Sequence, residues 1–193
     1  EAAAPPAPLA EGQVPDVLYT PTPSGFPGVV VAADAADTVR TAIAGNIDGL
    51  PEGWERKTFG TIAELKYGKA LKEENRVEGT FPVYGSSGIV GTHEAALVEG
   101  PAIIVGRKGN VGSIFWSPVD FWPIDTAYFI PKEQVDFWLY LALPLAGFQN
   151  TDAGVPGLNR DFAYSRKLVQ PSERIRRLFN EAVVINPLVS TDG

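Results

Sequence analysis

A chain of 193 residues, 45% hydrophobic and 10% aromatic, has enough apolar material for one folded domain with appendages and is not a disordered segment throughout. It has no cysteine and a single histidine, His93, which excludes a disulfide framework, a thiolate metal site and a histidine cluster. Its net charge of -7 is concentrated in residues 1–53, where seven carboxylates face one cation, Arg40, so the rest is nearly neutral with 15 cations against 16 carboxylates.

Residues 1–28 hold seven of the 17 prolines and lack apolar periodicity, which predicts an extended tail. Residues 29–49 form a short helical lead-in, with Val39, Ile43 and Ile47 spaced four apart in a helix over 34–47. Methionine is absent, even at position 1, which suggests a piece cut from something longer. No basic-then-apolar leader opens the chain, and the apolar run 137–148 is interrupted by Pro144 and too short to span a bilayer. A reducing, cytoplasmic setting without membrane contact is the expectation.

The main domain covers residues 50–170. LPEGW at 50–54 precedes a strand over 55–59 and a turn or short helix over 59–65. Lys66, Lys69, Lys72 and Arg76 then surround Tyr67, a group that reads either as a solvated loop or as a contact surface. One glycine pattern follows twice, GSSGIVG at 85–91 and GRKGNVG at 106–112, each asking for φ > 0 or close backbone approach at the same offsets. The first loop offers the hydroxyls of Ser86 and Ser87, and the second offers Arg107, Lys108 and Asn110. Apolar runs at 102–105 and 111–116 make the second loop the solvated tip of a hairpin. Arg's fork suits phosphate or guanine, and Lys acts as a point charge, so the tips suit an anionic partner with readable polar edges.

Phe115, Trp116, Phe121 and Trp122 read as core beside prolines, and 124–130 as a strand whose Asp125 ties down a loop by accepting backbone N–H groups. A helix is predicted over 132–146, with Val135, Trp138, Leu139, Ala142 and Leu145 on one face and a bend near Pro144. Asn159 is a natural N-cap for a helix over 160–164, and 167–169 is a short strand. In 171–193 a helix carries Ile175, Leu178, Phe179, Ala182 and Val183 on a stripe that needs a partner. The fold class is α+β: a compact, twisted, mixed β-sheet domain with flanking short helices, followed by the start of a longer helix.

A hydrolase would have to combine Ser86 or Ser87 with His93, and GSSG lacks the spacing of a nucleophile elbow. Neither glycine phrase is a nucleotide-binding fingerprint, and Asn186-Pro187 is followed by Leu188 and Val189, not by the N-P-P-aromatic phrase of an adenine methyltransferase.

LPEGW, YGK at 67–69, PVYGSSGIVGTHEAAL at 82–97, PAIIVGRKGNVGSIFW at 101–116, IDTAYFI at 124–130, GVPGLNRDF at 154–162 and PSERIRRLFNEAV at 171–183 occur in this order. Together they resemble the target recognition domain of the specificity subunit of type I restriction-modification enzymes. The resemblance implies recognition of half of a bipartite double-stranded DNA site, with no catalysis by this chain. Modification (methyltransferase) and restriction subunits are the implied partners, and S-adenosylmethionine, ATP and Mg are theirs. Carried over, DNA contact falls to Tyr67, Lys69, Lys72, Tyr84, Ser86, Ser87, His93, Arg107, Lys108 and Asn110, and the last helix becomes a spacer docking methyltransferase subunits. A complete subunit usually has two recognition domains, and LVQPSER stands where a proline-rich acidic lead is usual. A half-subunit that dimerises, a fragment, and a recognition domain fused to a methyltransferase-restriction polypeptide are therefore all compatible.

Overall fold

The computed structural model describes residues 17–19, 28–32, 50, 53–149 and 157–186. In the head, β1 (Val17–Tyr19) pairs antiparallel with β2 (Gly28–Ala32), Leu18 opposite Val31. The helix expected over 34–47 lies outside the described residues.

The domain proper begins with β3 (Glu55–Thr58), a 3-10 turn at Phe59–Thr61, and β4 (Lys66–Tyr67). Two hairpins follow: β5 (Phe81–Gly85) with β6 (Gly88–His93), and β7 (Ala102–Gly106) with β8 (Ile114–Ser117). β9 (Trp122–Pro123) and β10 (Ala127–Ile130) complete this set. Then come α1 (Phe137–Ala142), α2 (Arg160–Ser165), β11 (Lys167–Gln170), α3 (Glu173–Ala182) and β12 (Val183–Asn186).

Among the described residues the strands divide among four small sheets, and the α+β class holds. A four-stranded antiparallel sheet, ordered β4-β10-β7-β8, lies at the centre. β7 is buried at every residue, because both faces of its AIIV run are covered. Ile103 and Val105 enter a large core with Tyr128, Ile130, Leu139 and Phe59, while Ala102 and Ile104 enter a second core with Tyr84, Phe121 and Phe129. A strand buried on both faces needs apolar residues at consecutive positions, and this run supplies them. α1, α2, α3 and the 3-10 turn at Phe59 contribute to the first core; the sheet β6-β5-β9 contributes Tyr84 to the second. Its parallel β5–β9 pair gives the fold its mixed character, and β3 pairs with β11.

Two helix expectations are corrected. Residues 132–146 are not one helix: Val135 is extended (φ -104, ψ 145), Asp136 caps α1 by accepting from the Leu139 N–H, and a 3-10 turn takes over at Leu143–Ala146. Asp136 favours the cap because its short side chain satisfies an otherwise unpaired helix N–H. Trp138, Leu139 and Ala142 are buried as expected, whereas Leu145 faces solvent. The last helix ends at Ala182, before the predicted stripe is complete. Val183–Asn186 is a strand antiparallel to β2, with Val183 opposite Val31, since a β-branched Val-Val-Ile run favours a pleated backbone over a helix.

Candidate functional site

The glycine phrases share their backbone demands. Gly88 and Gly91 in the first, and Gly109 and Gly112 in the second, have φ of 98, 146, 79 and 78°. The leading glycine of each instead allows close approach, and the tightest case is Gly106, where an added Cβ would lie 2.0 Å from the Asn110 carbonyl oxygen. The outcomes differ in width. Ser86 and Ser87 form a two-residue hairpin turn between paired Gly85 and Gly88, whereas 107–113 is a wider loop closed by the Gly106 N–H donating to Ser113 O and the Gly112 N–H donating to Gly106 O.

The two loops meet. The Ser113 hydroxyl donates between Ser86 O at 2.5 Å and Asn110 O at 2.9 Å, so one side chain bridges both. The Ser86 N–H donates to Thr126 Oγ1 at 3.3 Å, and the Ser86 hydroxyl lies 3.3 Å from where a Cβ on Gly109 would stand. Ser87, Gly109 and Asn110 are exposed beside this contact.

The cations are less free than a solvated tip implies, a correction that follows from aromatic neighbours. Arg107 is half-buried; its guanidinium lies 4.9 Å from the Tyr67 ring centroid and 5.5 Å from that of Tyr128, and Nη1 donates to Asp125 O. Lys108 pairs with the Asp125 carboxylate at 3.5 Å, both partly exposed. Asp125 therefore ties down the cationic loop through a charge and a carbonyl, where acceptance of backbone N–H groups was expected. A second segment is fastened alongside: the Leu158 N–H donates to Arg107 O, and the Tyr128 hydroxyl donates to Leu158 O. Burial, then hydrogen bonding with Tyr67, pushes the Tyr128 phenol above its ordinary pKa. This segment brings Arg160, whose guanidinium lies 5.2 Å from the Tyr67 ring.

The structure thus brings together Tyr67, Ser86, Ser87, Arg107, Lys108 and Asn110. Tyr84 is not with them: it is 3% exposed, packs edge-on against Phe121 in the core, and burial raises its phenol to about 12. His93 is also withdrawn, 8% exposed, with Nδ1 accepting the Val77 N–H and its ring edge-on to Trp122. Both are corrections, because strand register turns these side chains inward. His93 pairs with Phe81 and Gly85 with Gly88, so four residues at about 3.3 Å each put the histidine roughly 13 Å along the hairpin from the serines. That separation removes the geometry a Ser–His hydrolase needs. Lys69 sits over Trp122 at 5.9 Å, and Lys72 is exposed beside Glu74. On α3, Phe179 is buried against Trp138 and so belongs to the core, a further correction; Ile175 is half-buried and Leu178 is 53% exposed. The side chains of Ala182 and Val183 lie outside the described residues.

Sequence reading passed over Ser113, Thr126 and Arg160. The serine lies one residue beyond the second glycine phrase. The other two carried no local signal, because they reach the site only through strand pairing and loop packing.

The class of protein these features define is an α+β domain that presents paired glycine loops on one surface. The chain belongs to the type I restriction modification DNA specificity domain family, whose model matches residues 51–155. Among solved structures it is similar to the type I restriction-modification S subunit from M. genitalium, with TM-score 0.62 and 20% identity over 77% of this chain and 45% of that one. It is also similar to a chain from a study of complex assembly and conformational transition of the type I R-M system (TM-score 0.57, 16% identity, 77% and 43%). The HsdS subunit from Thermoanaerobacter tengcongensis gives TM-score 0.52 at 16% identity, over 77% and 43%. The chain therefore spans less than half the length of each, and at these identities the likeness concerns the fold. No curated protein sequence matches. Among the described residues, no helix is long and apolar enough to cross a membrane.

Proposed function

We propose that this chain is a DNA target-recognition module of a type I restriction-modification system, reading one part of a bipartite double-stranded site. The observation that carries this reading is the Ser113 bridge, which joins a loop of neutral hydrogen-bonding groups to a loop of cations. Ser86, Ser87 and Asn110 are suited to base edges, and Arg107 and Lys108 to phosphates that set position and register. Catalysis belongs to partner subunits: methyl transfer from S-adenosylmethionine in the modification subunit, and ATP- and Mg-dependent work in the restriction subunit. The solvent face of α3, with Leu178 and part of Ile175, is the surface offered to the modification subunits.

Fluorescence anisotropy of the full chain, alone and with modification subunits, against a panel of duplexes at several salt concentrations tests the reading. Binding that weakens linearly with log salt and favours particular sequences is expected. Binding to no duplex at any salt, even with modification subunits present, would contradict it. The chain's span of less than half of the similar S subunits supports a second reading of its organisation: two copies, or a second recognition domain in a longer or fused polypeptide, complete the site. Light scattering of the chain with and without residues 172–193 separates self-association from recruitment of a distinct second domain.

A further inference from the structure

We infer that Arg160 and Arg107, stacked on the one ring of Tyr67, form a phosphate-binding pair, which makes Arg160 a DNA-backbone contact that neither glycine phrase contains. The inference rests on the reading of the chain as a DNA-recognition module. The two guanidinium carbons lie 4.9 and 5.2 Å from the same ring centroid, so they are at most about 10 Å apart, which is about one Debye length at 0.1 M ionic strength. Among the described residues, no carboxylate forms an ion pair with either. Two like charges held this close, with the neighbouring Asp125 carboxylate engaged by Lys108, form a local cationic patch suited to an anion in a chain of net charge -7.

The arrangement is also held in place. Tyr67 is positioned by pairing with Tyr128, at 5.0 Å between rings, yet stays 50% exposed. Arg160 follows Asn159, whose side chain caps α2, and Leu158, whose N–H is bound to Arg107 O. A guanidinium over a ring keeps edge donors for phosphate oxygens; on Arg107, whose Nη1 already donates to Asp125 O, these are the remaining N–H groups. A phosphodiester meeting both forks is sequence-independent, which suits a contact that sets register beside the base-reading loops.

The test compares Arg160→Gln and Arg160→Lys with the unsubstituted full chain, assembled with modification subunits, on a preferred duplex and an unrelated one across a salt series. Arg160→Gln is expected to weaken both duplexes by the same factor, about tenfold at low salt, and to reduce the slope of log K against log salt by about 0.9. Arg160→Lys keeps the slope, because it keeps the charge. Equal slopes for all three proteins would overturn the inference while leaving DNA recognition standing. A loss confined to one base position would overturn it too, by making Arg160 a base reader. If the unsubstituted assembly binds no duplex, the functional reading fails and takes this inference with it.

Discussion

Replacing Ser113 by alanine removes the side chain that bridges the two glycine loops. The hydroxyl has one hydrogen to share between Ser86 O and Asn110 O, so the change deletes about one net hydrogen bond despite the two contacts at 2.5 and 2.9 Å. Ser113, Ser86 and Asn110 all have solvent access, so the released carbonyls rehydrate and no full desolvation penalty follows. The expected cost is about 1 kcal/mol, or roughly 2–4 °C in Tm for a chain of this size. Binding responds differently from stability. Once the loops shift independently, discrimination between preferred and unrelated duplexes falls several-fold, while the salt slope stays constant because no cation is lost. Ser117→Ala provides the control: its hydroxyl donates to Val119 O at 2.8 Å at the far end of the same hairpin, so it lowers stability without changing discrimination. Anisotropy on both duplexes, with thermal denaturation of all three proteins, gives the comparison. Equal discrimination by Ser113→Ala and the unsubstituted chain would refute the view that the bridge makes the loops one surface.

Three further substitutions probe how the fold holds that surface. Asp136→Ala deletes the cap on α1 and leaves Arg176 and Asn180 without their shared carboxylate, which is only 22% exposed; a loss of about 2–4 kcal/mol in urea denaturation is expected. Gly106→Ala drives a Cβ to 2.0 Å from Asn110 O, so the loop must open, at a cost of more than about 2 kcal/mol and with loss of sequence preference in the anisotropy assay. Tyr84, with its phenol raised to about 12 in the fold, leaves stability unaffected below pH 10; between about pH 10 and 12 the unfolded chain ionises first and about 2–3 kcal/mol is lost. Tyr84→Phe should flatten that part of a stability-versus-pH curve.

Much of this was legible along the chain because local chemistry dictated it. The AIIV run could be read as one strand of a hairpin, and the positive φ values at the second and third glycines of each phrase fall at shared offsets. Asn159 caps α2 as its type and position imply. What escaped was decided by register and by distant partners. A shift in pairing between Val83 and Tyr84 helps determine which way the β5 side chains face, so Tyr84 looked available for contact when it is core. The periodicity over 132–146 was genuine, but Asp136 and Pro144 broke it into shorter turns. Arg160 reaches Tyr67 from more than ninety positions away, a contact no spacing rule could expose.

Selection of duplexes from a randomised library separates side chains that read bases from those that only hold the DNA backbone. The full chain with modification subunits, and the same assembly carrying Ser87→Ala, Asn110→Ala or Lys108→Glu, would each be taken through enrichment and sequenced. A defined motif is expected for the unsubstituted assembly, relaxation at single base positions for Ser87→Ala and Asn110→Ala, and an unchanged motif bound more weakly for Lys108→Glu. No enriched motif, or one motif bound equally by all four assemblies, would contradict the target-recognition reading.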